Sequence, residues 1–301
     1  MALYLGIDAG GTKTDCAVSN GAELLGQASG ESCKLARVGR ARAHDNLHAV
    51  VQQACGGARV LTRDIQHVCI GMSGASLPEA VIWAQDTIRE LTPEATIYVA
   101  GDHVIAHRAA FGTSHGVLVV SGTGSIAFGR NQKGETARAG GWGPAISDEG
   151  SAFWVGREAV AAALREYDTG IADGLLATIA QFWKIAPEEV VRVANASEPR
   201  FAELAGTVVA AAEKGDVLAR EITERAGQSL ARIAAAVVGR LWPEGGVVPV
   251  ALTGGVLQGS ALVRQSFRDT MKRQNPEAAV SFAYVRPVLG ALEIAAQRSR
   301  R

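Results

Sequence analysis

The chain has 301 residues, enough for one large domain or two ordinary ones. Thirty basic residues balance thirty acidic ones, so the chain lacks the basic surplus typical of general nucleic-acid binders. It contains no run of 18 apolar residues, and its first residues lead directly into a predicted strand. We therefore expect a globular protein that partners neither nucleic acid nor membrane.

The four cysteines lie at positions 16, 33, 55 and 69, without a CxxC pair or another metal-ligand spacing. Cysteines without such spacing are typical of reduced thiols in the cytoplasm. We therefore expect a cytoplasmic protein.

Strands open the chain and then alternate with helices. "LYLGID", "TDCAVS" and "AELLGQAS" predict three adjacent antiparallel strands, the last two joined by a hairpin at Asn20-Gly21. The elements predicted next are a helix over about 40–54, a strand in "QHVCIGMSG", a helix over 78–91, a strand in "ATIYVAGD" and a helix through about 110. Asp102 lies at the carboxyl end of the last of these strands.

The opening pattern recurs in the second half. "GVLVVSGTGSIAFGRN" predicts a strand, a glycine turn and a second strand, and "ETARAGG" predicts a third. Helices dominate after Asp148, followed by the strands "VVPVALTGG" and "AAVSFAY". This alternation predicts two α/β domains, over residues 1–113 and 114–286, with a final helix over about 287–301 packing back on the first.

Three glycine turns need an explanation. They are "DAGGT" (Asp8–Thr12), "SGTGS" (Ser121–Ser125) and "LTGG" (Leu252–Gly255). None matches the dinucleotide fingerprint or the GxxxxGK[ST] loop. A tight turn that requires positive φ is one explanation. The other is that successive N–H groups of a hairpin form an anion-binding nest for phosphate.

These turns, in this order and with Asp102, resemble the actin-like ATPase and sugar-kinase superfamily. "GGWGPAISDEGSAFWVGREAV" (residues 140–160), "IGMSGAS" and "VAGD" are similar to segments of its N-acetylglucosamine kinase family. The resemblance implies two ribonuclease-H-like domains with ATP and sugar in the cleft between them. It also implies phosphorylation of an amino sugar, first of all N-acetyl-D-glucosamine at its 6-hydroxyl, with N-acetylmuramic acid and glucosamine as alternatives.

The resemblance also implies roles for individual residues. Asp8 would bind Mg²⁺, and Asp102 would be the general base; without the resemblance, an Asx turn and a helix cap would explain these two aspartates. The residues implied to bind ATP are Gly10, Gly11, Thr12, Lys13, Gly122, Thr123, Gly124, Gly254 and Gly255. Those implied to bind the sugar, together with Asp102, are Lys34, Ser73, Ser125, Gly141, Trp142, Gly143 and Asp148.

Two departures from the family pattern concern the sugar. Lys34 replaces an expected asparagine, with Arg37 one helical turn away, and Ile126 replaces a residue that is often polar. Lys34 and Arg37 would be either a solvated loop or partners for an anionic substituent on the sugar. Glu149 would either bind the sugar or cap a helix starting at Gly150.

Other functions are less well supported by the sequence. A dehydratase-activating ATPase of the same superfamily binds an iron–sulfur cluster through cysteines near its second hairpin, but this chain has no cysteine after Cys69. A sugar-sensing regulator would need a DNA-binding segment, for which we expect no room. The sequence leaves a homodimer open.

Overall fold

The structure is a computed structural model that describes residues 2–170, 174–197, 199–282 and 284–299. The chain forms two compact units: Met1–Ser114 with Tyr284–Arg301, and His115–Ala283. Each unit has its own five-stranded sheet and its own covering helices.

Unit 1 begins with three strands and continues with alternating helices and strands. Its elements are β1 (Tyr4–Ala9), β2 (Lys13–Ser19), β3 (Leu24–Glu31), α1 (Leu35–Val38), α2 (Arg40–Ala58), a 3₁₀ turn (Thr62–Asp64), β4 (His67–Met72), α3 (Pro78–Leu91), β5 (Thr96–Gly101) and α4 (Asp102–Phe111).

The first sheet has the order β3-β2-β1-β4-β5. β1, β2 and β3 are antiparallel neighbours, as predicted, whereas β4 and β5 run parallel to β1. β1 is buried along almost its whole length because helices cover both faces of the sheet. The carboxyl ends of β1, β4 and β5 therefore lie at one edge, which positions the residues that follow them.

The β2–β3 loop differs from the prediction. β3 starts at Leu24 rather than at Ala22, so the loop has four residues instead of two. The Asn20 side chain accepts hydrogen bonds from the amides of Ala22 and Glu23, which replaces the tight turn expected for Asn20-Gly21.

Unit 2 begins with the same three-strand pattern and then becomes mostly helical. Its elements are β6 (Gly116–Ser121), β7 (Ser125–Arg130), β8 (Thr136–Gly140), α5 (Ala152–Tyr167), α6 (Leu175–Trp183), a 3₁₀ turn (Pro187–Glu189), α7 (Val190–Ala194), a 3₁₀ turn (Phe201–Leu204), α8 (Ala205–Glu213), α9 (Val217–Leu241), β9 (Val248–Thr253), α10 (Gly255–Gly259), α11 (Ala261–Gln274) and β10 (Ala278–Phe282).

The second sheet has the order β10-β9-β6-β7-β8, with β6–β8 antiparallel and β9 and β10 parallel to β6. Its topology repeats that of the first sheet, with β6, β9 and β10 in the places of β1, β4 and β5. The predicted long helix is α9, and Asp216 caps it by accepting a hydrogen bond from the amide of Ala219.

The last helix, α12 (Pro287–Arg298), packs in unit 1 against β1 and α4. Close approach requires glycine at two positions: a Cβ on Gly6 would meet α12, and one on Gly290 would meet α4. Arg108 donates to Gln297 at 2.6 Å, which ties α4 to the end of this helix. Of the range predicted for the final helix, residues 300 and 301 lie outside the described residues.

The four cysteines are all buried as free thiols. Within the described residues, every helix is too short or too polar to cross a membrane.

Candidate active site

Three polar residues follow the parallel strands of unit 1 at the same sheet edge. Asp8 lies near the end of β1, Ser73 follows β4, and Asp102 follows β5. β1 and β5 are both neighbours of β4, so about 10 Å of sheet width separates the two strands that carry the aspartates. The fold thus gathers three of the predicted site residues from distant parts of the sequence.

The Asp8 carboxyl group is costly to ionise. Burial, the largest cause, and the nearby charges of Asp102 and Asp15 together raise its pKa from 3.8 to about 7, against a smaller opposite effect of Lys13. A bound cation would offset these unfavourable effects. Asp8 therefore has the electrostatic surroundings expected of a metal-binding carboxylate.

The Asp102 carboxyl group, unlike that of Asp8, ionises more readily than usual. Burial raises its pKa, but His103 outweighs burial by hydrogen bonding and charge, and Lys34 adds a smaller effect, so the pKa lies below the usual value. The Asp102 carboxylate accepts a hydrogen bond from the His103 amide at 2.8 Å. Asp102 is the first residue of α4 and remains 43% exposed, so it is ionised at neutral pH and can contact a ligand.

Ser73 and Lys34 extend this site. The Ser73 hydroxyl oxygen is buried and has no hydrogen-bond partner among the described residues. Such a group is costly unless a ligand or water bonds to it. Lys34 is exposed, and its charge acts on Asp102, which places the ammonium group in the electrostatic surroundings of the predicted base.

The first glycine turn connects β1 to β2. Neither Gly10 nor Gly11 has a left-handed φ, so the turn does not need glycine for its conformation. A Cβ on Gly11 would meet no atom within 4 Å. A Cβ on Gly10, by contrast, would lie 3.1 Å from the Lys13 carbonyl oxygen. Space beside the backbone at Gly11, not φ, favours the phosphate-nest interpretation over the tight-turn one.

Side chains from the segment after β3 bind the carbonyl groups of this turn. The Ser32 hydroxyl lies 3.1 Å from the carbonyl oxygens of both Gly10 and Gly11, and Arg37 donates to the Gly11 carbonyl at 2.8 Å. The prediction of a solvated loop is thus wrong for Arg37, which lies in α1 and stabilises the hairpin. Lys13 is exposed and pairs with Asp15 at 2.7 Å.

The second glycine turn, between β6 and β7, is bound to the start of α5. The amides of Ala152 and Phe153 donate to the carbonyls of Gly122 and Thr123, at 2.8 and 3.3 Å. Two hydroxyl groups add to this, because Ser121 donates to the Gly150 carbonyl and Ser125 donates to the Glu149 carbonyl, both at 2.8 Å.

Some predicted donors of this second turn already have partners. The Gly122 amide donates to the Gly124 carbonyl at 2.9 Å, so it is engaged within the turn itself. The buried Ser125 hydroxyl is engaged with Glu149. Thr123 is exposed at the tip, and a Cβ on Gly122 would meet no atom within 4 Å, so this turn also leaves open space beside its backbone.

The "GGWG" segment forms a left-handed corner after β8. Gly140, Gly141 and Gly143 all have positive φ, between 68° and 97°, so their conformation alone requires glycine. Trp142 is 62% exposed, and the Arg138 guanidinium lies 4.2 Å from its ring centre. This corner therefore presents a largely exposed indole ring beside Arg138, and its role in sugar binding stays a prediction.

Asp148 is the strained residue of the sugar segment. It has a φ of 65°, uncommon outside glycine, and its side chain is buried. One carboxylate oxygen accepts from the Gly143 amide at 3.3 Å, and a Cβ on Gly124 would lie 2.8 Å from the other. Asp148 thus connects the second glycine turn to the tryptophan corner.

The start of α5 shows which residue caps this helix. α5 begins at Ala152, and the Ser151 hydroxyl caps it by accepting a hydrogen bond from the Trp154 amide. Glu149 is therefore not the helix cap, and its carboxylate accepts a hydrogen bond from the Ser147 hydroxyl.

Ile126, which departs from the family pattern, lies against Gly141, because a Cβ on Gly141 would be 3.0 Å from the Ile126 side chain.

The third glycine turn has a structural explanation. Gly254 has a φ of 101°, and a Cβ there would collide with the backbone of Ser121 in the neighbouring strand β6. The fold therefore requires glycine at position 254 without any ligand. At Gly255 a Cβ would meet no atom within 4 Å, so only the second glycine of this pair leaves space for one.

Sequence reasoning missed the residues that support the predicted ones. Ser32 contacts the first turn, His103 contacts Asp102, and Arg138 contacts Trp142. The proximity of His103 to Asp102 in the sequence could have indicated its role. Ser32 carries no local signal, because pairing of β2 with β3 brings it to the first turn, whereas Arg138 precedes Trp142 closely in the sequence.

Comparisons with known proteins give the same picture. The BadF/BadG/BcrA/BcrD ATPase family matches residues 5–295. An N-acetylmuramic acid/N-acetylglucosamine kinase from Clostridium acetobutylicum is 30% identical over 93% of this chain and 94% of the relative. An N-acetyl-D-glucosamine kinase from Dictyostelium discoideum is 26% identical over 97% of each chain.

A solved structure from Chromobacterium violaceum, of a protein proposed to be an N-acetylglucosamine kinase, superposes with a TM-score of 0.80. The two chains are 24% identical, and the match covers 97% of this chain and 98% of the other. The predicted α/β fold of the actin-like ATPases and the expected class of enzyme, an ATP-dependent kinase, are confirmed. The chain belongs to the BadF/BadG/BcrA/BcrD ATPase family.

Proposed function

We propose that this chain is a cytoplasmic amino-sugar kinase that transfers the γ-phosphoryl group of ATP to the 6-hydroxyl of N-acetyl-D-glucosamine. The observation that carries the proposal is the pair of aspartates at one sheet edge. Asp8 resists ionisation in the absence of a cation, whereas Asp102 is ionised and partly exposed. Phosphoryl transfer needs one carboxylate for each of two tasks, metal binding and orientation of the acceptor hydroxyl.

Asp8 fits a role in magnesium binding. Its carboxyl group has a pKa of about 7, and binding a divalent cation would favour the ionised form. Mg²⁺, when bound, would neutralise charge on the nucleotide phosphates and would keep several of its waters. In this role Asp8 contacts those waters and holds the cation at the end of β1.

Backbone amides of the two glycine turns are the proposed phosphate donors. In the first turn these are Gly10, Gly11 and Thr12, and the open space at Gly11 leaves room for a phosphate group. In the second turn they are Thr123 and Gly124, because the Gly122 amide already has a partner. Lys13 supplies positive charge near the first turn, and Gly255 lines the nucleoside side.

Asp102 is the proposed general base. Its carboxylate accepts the proton of the sugar 6-hydroxyl as the sugar oxygen forms its bond to the γ-phosphorus and the bond from that phosphorus to the departing ADP oxygen breaks. The hydrogen bond from the His103 amide holds the carboxylate in a fixed orientation. Removing such a base typically costs 10²–10⁴-fold in rate.

The sugar would contact the tryptophan corner and the Ser73 hydroxyl. Gly141 and Gly143 let the backbone approach the ring of the sugar, and Trp142 offers an apolar surface beside it. The orphaned Ser73 hydroxyl would gain a hydrogen-bond partner. Asp148 is proposed to accept sugar hydroxyl protons, in addition to supporting this corner through Gly143.

N-acetylmuramic acid is the second candidate acceptor. The exposed Lys34 ammonium acts electrostatically on Asp102, so it lies on the side of unit 1 where the acceptor would bind. A carboxylate on the acceptor would make a charge-assisted bond to it, worth about 1.5–3 kcal/mol or roughly 10- to 150-fold in selectivity. The Clostridium relative carries both sugars in its name.

A substrate panel tests both candidates. ADP release is measured with ATP, Mg²⁺ and, in turn, N-acetylglucosamine, glucosamine, N-acetylmannosamine, glucose and N-acetylmuramic acid, and phosphorus–proton NMR correlation identifies the phosphorylated carbon. We expect N-acetylglucosamine 6-phosphate from the wild type. Lys34→Ala should lower kcat/KM selectively for N-acetylmuramic acid, whereas the exposed control Arg40→Ala should not. ADP release that does not depend on any sugar would overturn the proposal and favour an ATPase without a sugar acceptor.

A further inference from the structure

Three metal-ligating side chains converge on the surface of unit 1, apart from the candidate active site. His44 and His48 are four residues apart on α2, so they share one face of that helix. Glu90 comes from the last turn of α3, which packs against α2. Within the described part of the chain, these residues are the one group of three histidine, cysteine or acidic side chains whose ligand atoms all lie within 4.8 Å of one another.

The distances suit a small divalent cation. The Glu90 Oε2 atom lies 2.9 Å from His44 Nε2 and 3.3 Å from His48 Nε2. Zinc bonds of about 2.0–2.1 Å in a tetrahedron put neighbouring ligand atoms about 3.3 Å apart. Small rotations of these side chains would therefore bring all three ligand atoms into range of one ion.

Hydrogen bonds alone leave this group incompletely satisfied. His48 Nε2 is buried and forms no hydrogen bond among the described residues, although the Glu90 carboxylate is near it. The two imidazole rings stack with centres 4.1 Å apart, so protonating both would place two positive charges face to face. A divalent cation could accept a lone pair from Nε2 of each histidine, in the tautomer with its proton on Nδ1, and one from the Glu90 carboxylate, which would give His48 Nε2 the partner it lacks.

We propose that His44, His48 and Glu90 form a binding site for Zn²⁺ or a similar divalent transition metal. Two imidazoles and one carboxylate are an established ligand set for zinc, with a water molecule in the fourth position. Glu90 is more than half exposed, so the fourth position can be open to solvent. A metal ion here joins α2 to α3 and stabilises unit 1; the site is separate from Asp8 and from the magnesium expected there.

Direct metal titration tests the site. The full chain, free of any histidine tag and of nucleotide, is stripped of metal and titrated with Zn²⁺ against a chromophoric chelator. We expect one ion per chain, with affinity lowered about 100-fold or more in His48→Ala and in Glu90→Gln, since the loss of even an outer hydrogen-bond partner of a ligand costs about 10–100-fold. His115→Ala and Glu94→Gln are the matched controls and should bind as the wild type does.

Two further measurements keep the proposal open to contradiction. Co²⁺ should give visible bands typical of nitrogen and oxygen ligands, without the near-ultraviolet band of a thiolate ligand. Zn²⁺ should raise the Tm of the wild type and of the controls but not of His48→Ala or Glu90→Gln, because binding to the native state alone is stabilising. Wild type that does not bind, ligand variants that bind as tightly as wild type, or a thiolate band would each overturn the proposal.

Discussion

The two glycine hairpins of this protein have similar turns but different supports. The hairpin of unit 1 is held through its carbonyls by the side chains of Ser32 and Arg37. The hairpin of unit 2 is held through its carbonyls by the backbone amides of Ala152 and Phe153 at the start of α5. Side-chain support can be removed by mutation without altering the core, whereas helix support is part of the core.

The glycines of the two hairpins differ in whether packing requires them. Around Gly11 there is open space, so its lack of a side chain has no role in folding. Gly124 faces the buried Asp148 carboxylate, so its lack of a side chain is also required for packing. One sequence pattern thus combines a glycine that packing does not require with one that packing does require.

Alanine substitutions should separate these two glycines most clearly. Gly11→Ala should lower kcat/KM for ATP by about 10²-fold, the size of effect that small misplacements of reacting groups produce. It should leave the Tm unchanged. Gly124→Ala should lower both activity and Tm, because the new Cβ would lie 2.8 Å from Asp148 Oδ2. Thermal unfolding and initial rates are measured on both.

Gly57→Ala is the matched control for this pair. Gly57 lies inside α2 with open space beside it, so alanine there should keep full activity and gain stability from its helix propensity. A Gly11→Ala variant with wild-type activity would show that nothing binds closely to the first hairpin.

Asp8 provides a second difference between the hairpins, because the first one carries a carboxylate that opposes folding when ionised. Its pKa of about 7 in the native state lies above the ordinary 3.8, so the native protein binds more protons than the unfolded chain between these pH values. Stability is therefore lost as pH rises from about 4 to 7. Asp8→Asn should raise the free energy of unfolding, on the order of 2 kcal/mol at pH 8 without Mg²⁺, and by less at pH 5.

Denaturant unfolding at pH 5 and pH 8 measures this gain, and Glu94→Gln is the control for a general reduction of acidic charge. Glu94 is exposed and does not act on Asp8, so its loss should not be stabilising. Asp8→Asn should also abolish Mg²⁺-dependent turnover. Equal or lower stability of Asp8→Asn at pH 8 would contradict the proposed electrostatics of the site.

Substitutions of the residues that support the two hairpins should have the smallest effects on activity and stability. Arg37→Ala removes one hydrogen bond to the first hairpin and should raise KM for ATP about 2- to 10-fold without a change in Tm, since such a bond contributes about 0.5–1.5 kcal/mol. Ser121→Ala leaves the buried Gly150 carbonyl without its donor and should cost about 1–2 kcal/mol of stability.

Steady-state kinetics and thermal unfolding of both variants test this difference, with the exposed Arg40→Ala as control. If Arg37→Ala destabilised the whole protein as much as Ser121→Ala, the distinction between an exposed and a buried supporting hydrogen bond would be wrong.

Local patterns were enough to predict much of the fold. Both sets of three antiparallel strands, α3, α9 and α12 follow from apolar periodicity and from turn or capping residues near their ends. Of the two roles left open for Glu149, that of a helix cap is wrong, because the Ser151 hydroxyl caps α5. The β2–β3 loop was mispredicted because the Asn20 side chain competes with a tight turn.

Site residues could be predicted only where they lie in a recognisable sequence motif. The roles of Asp8 and Asp102 could be proposed because of the resemblance to a known family. The raised pKa of Asp8 depends first on burial, which only the fold determines, whereas the neighbouring residue His103 is the main cause that lowers the pKa of Asp102. Likewise, the sequence does not indicate that packing against Ser121 requires glycine at position 254. Ser32 has no sequence signal at all.

The most direct test of the proposed chemistry is Asp102→Asn. Asparagine keeps the size of the side chain and an oxygen that can accept the hydrogen bond from the His103 amide, but it cannot take up the proton of a sugar hydroxyl. Calorimetry should show N-acetylglucosamine binding within a few-fold of wild type, while kcat falls about 10²–10⁴-fold. A variant that keeps more than about a tenth of the wild-type kcat would contradict the assignment of Asp102 as the general base.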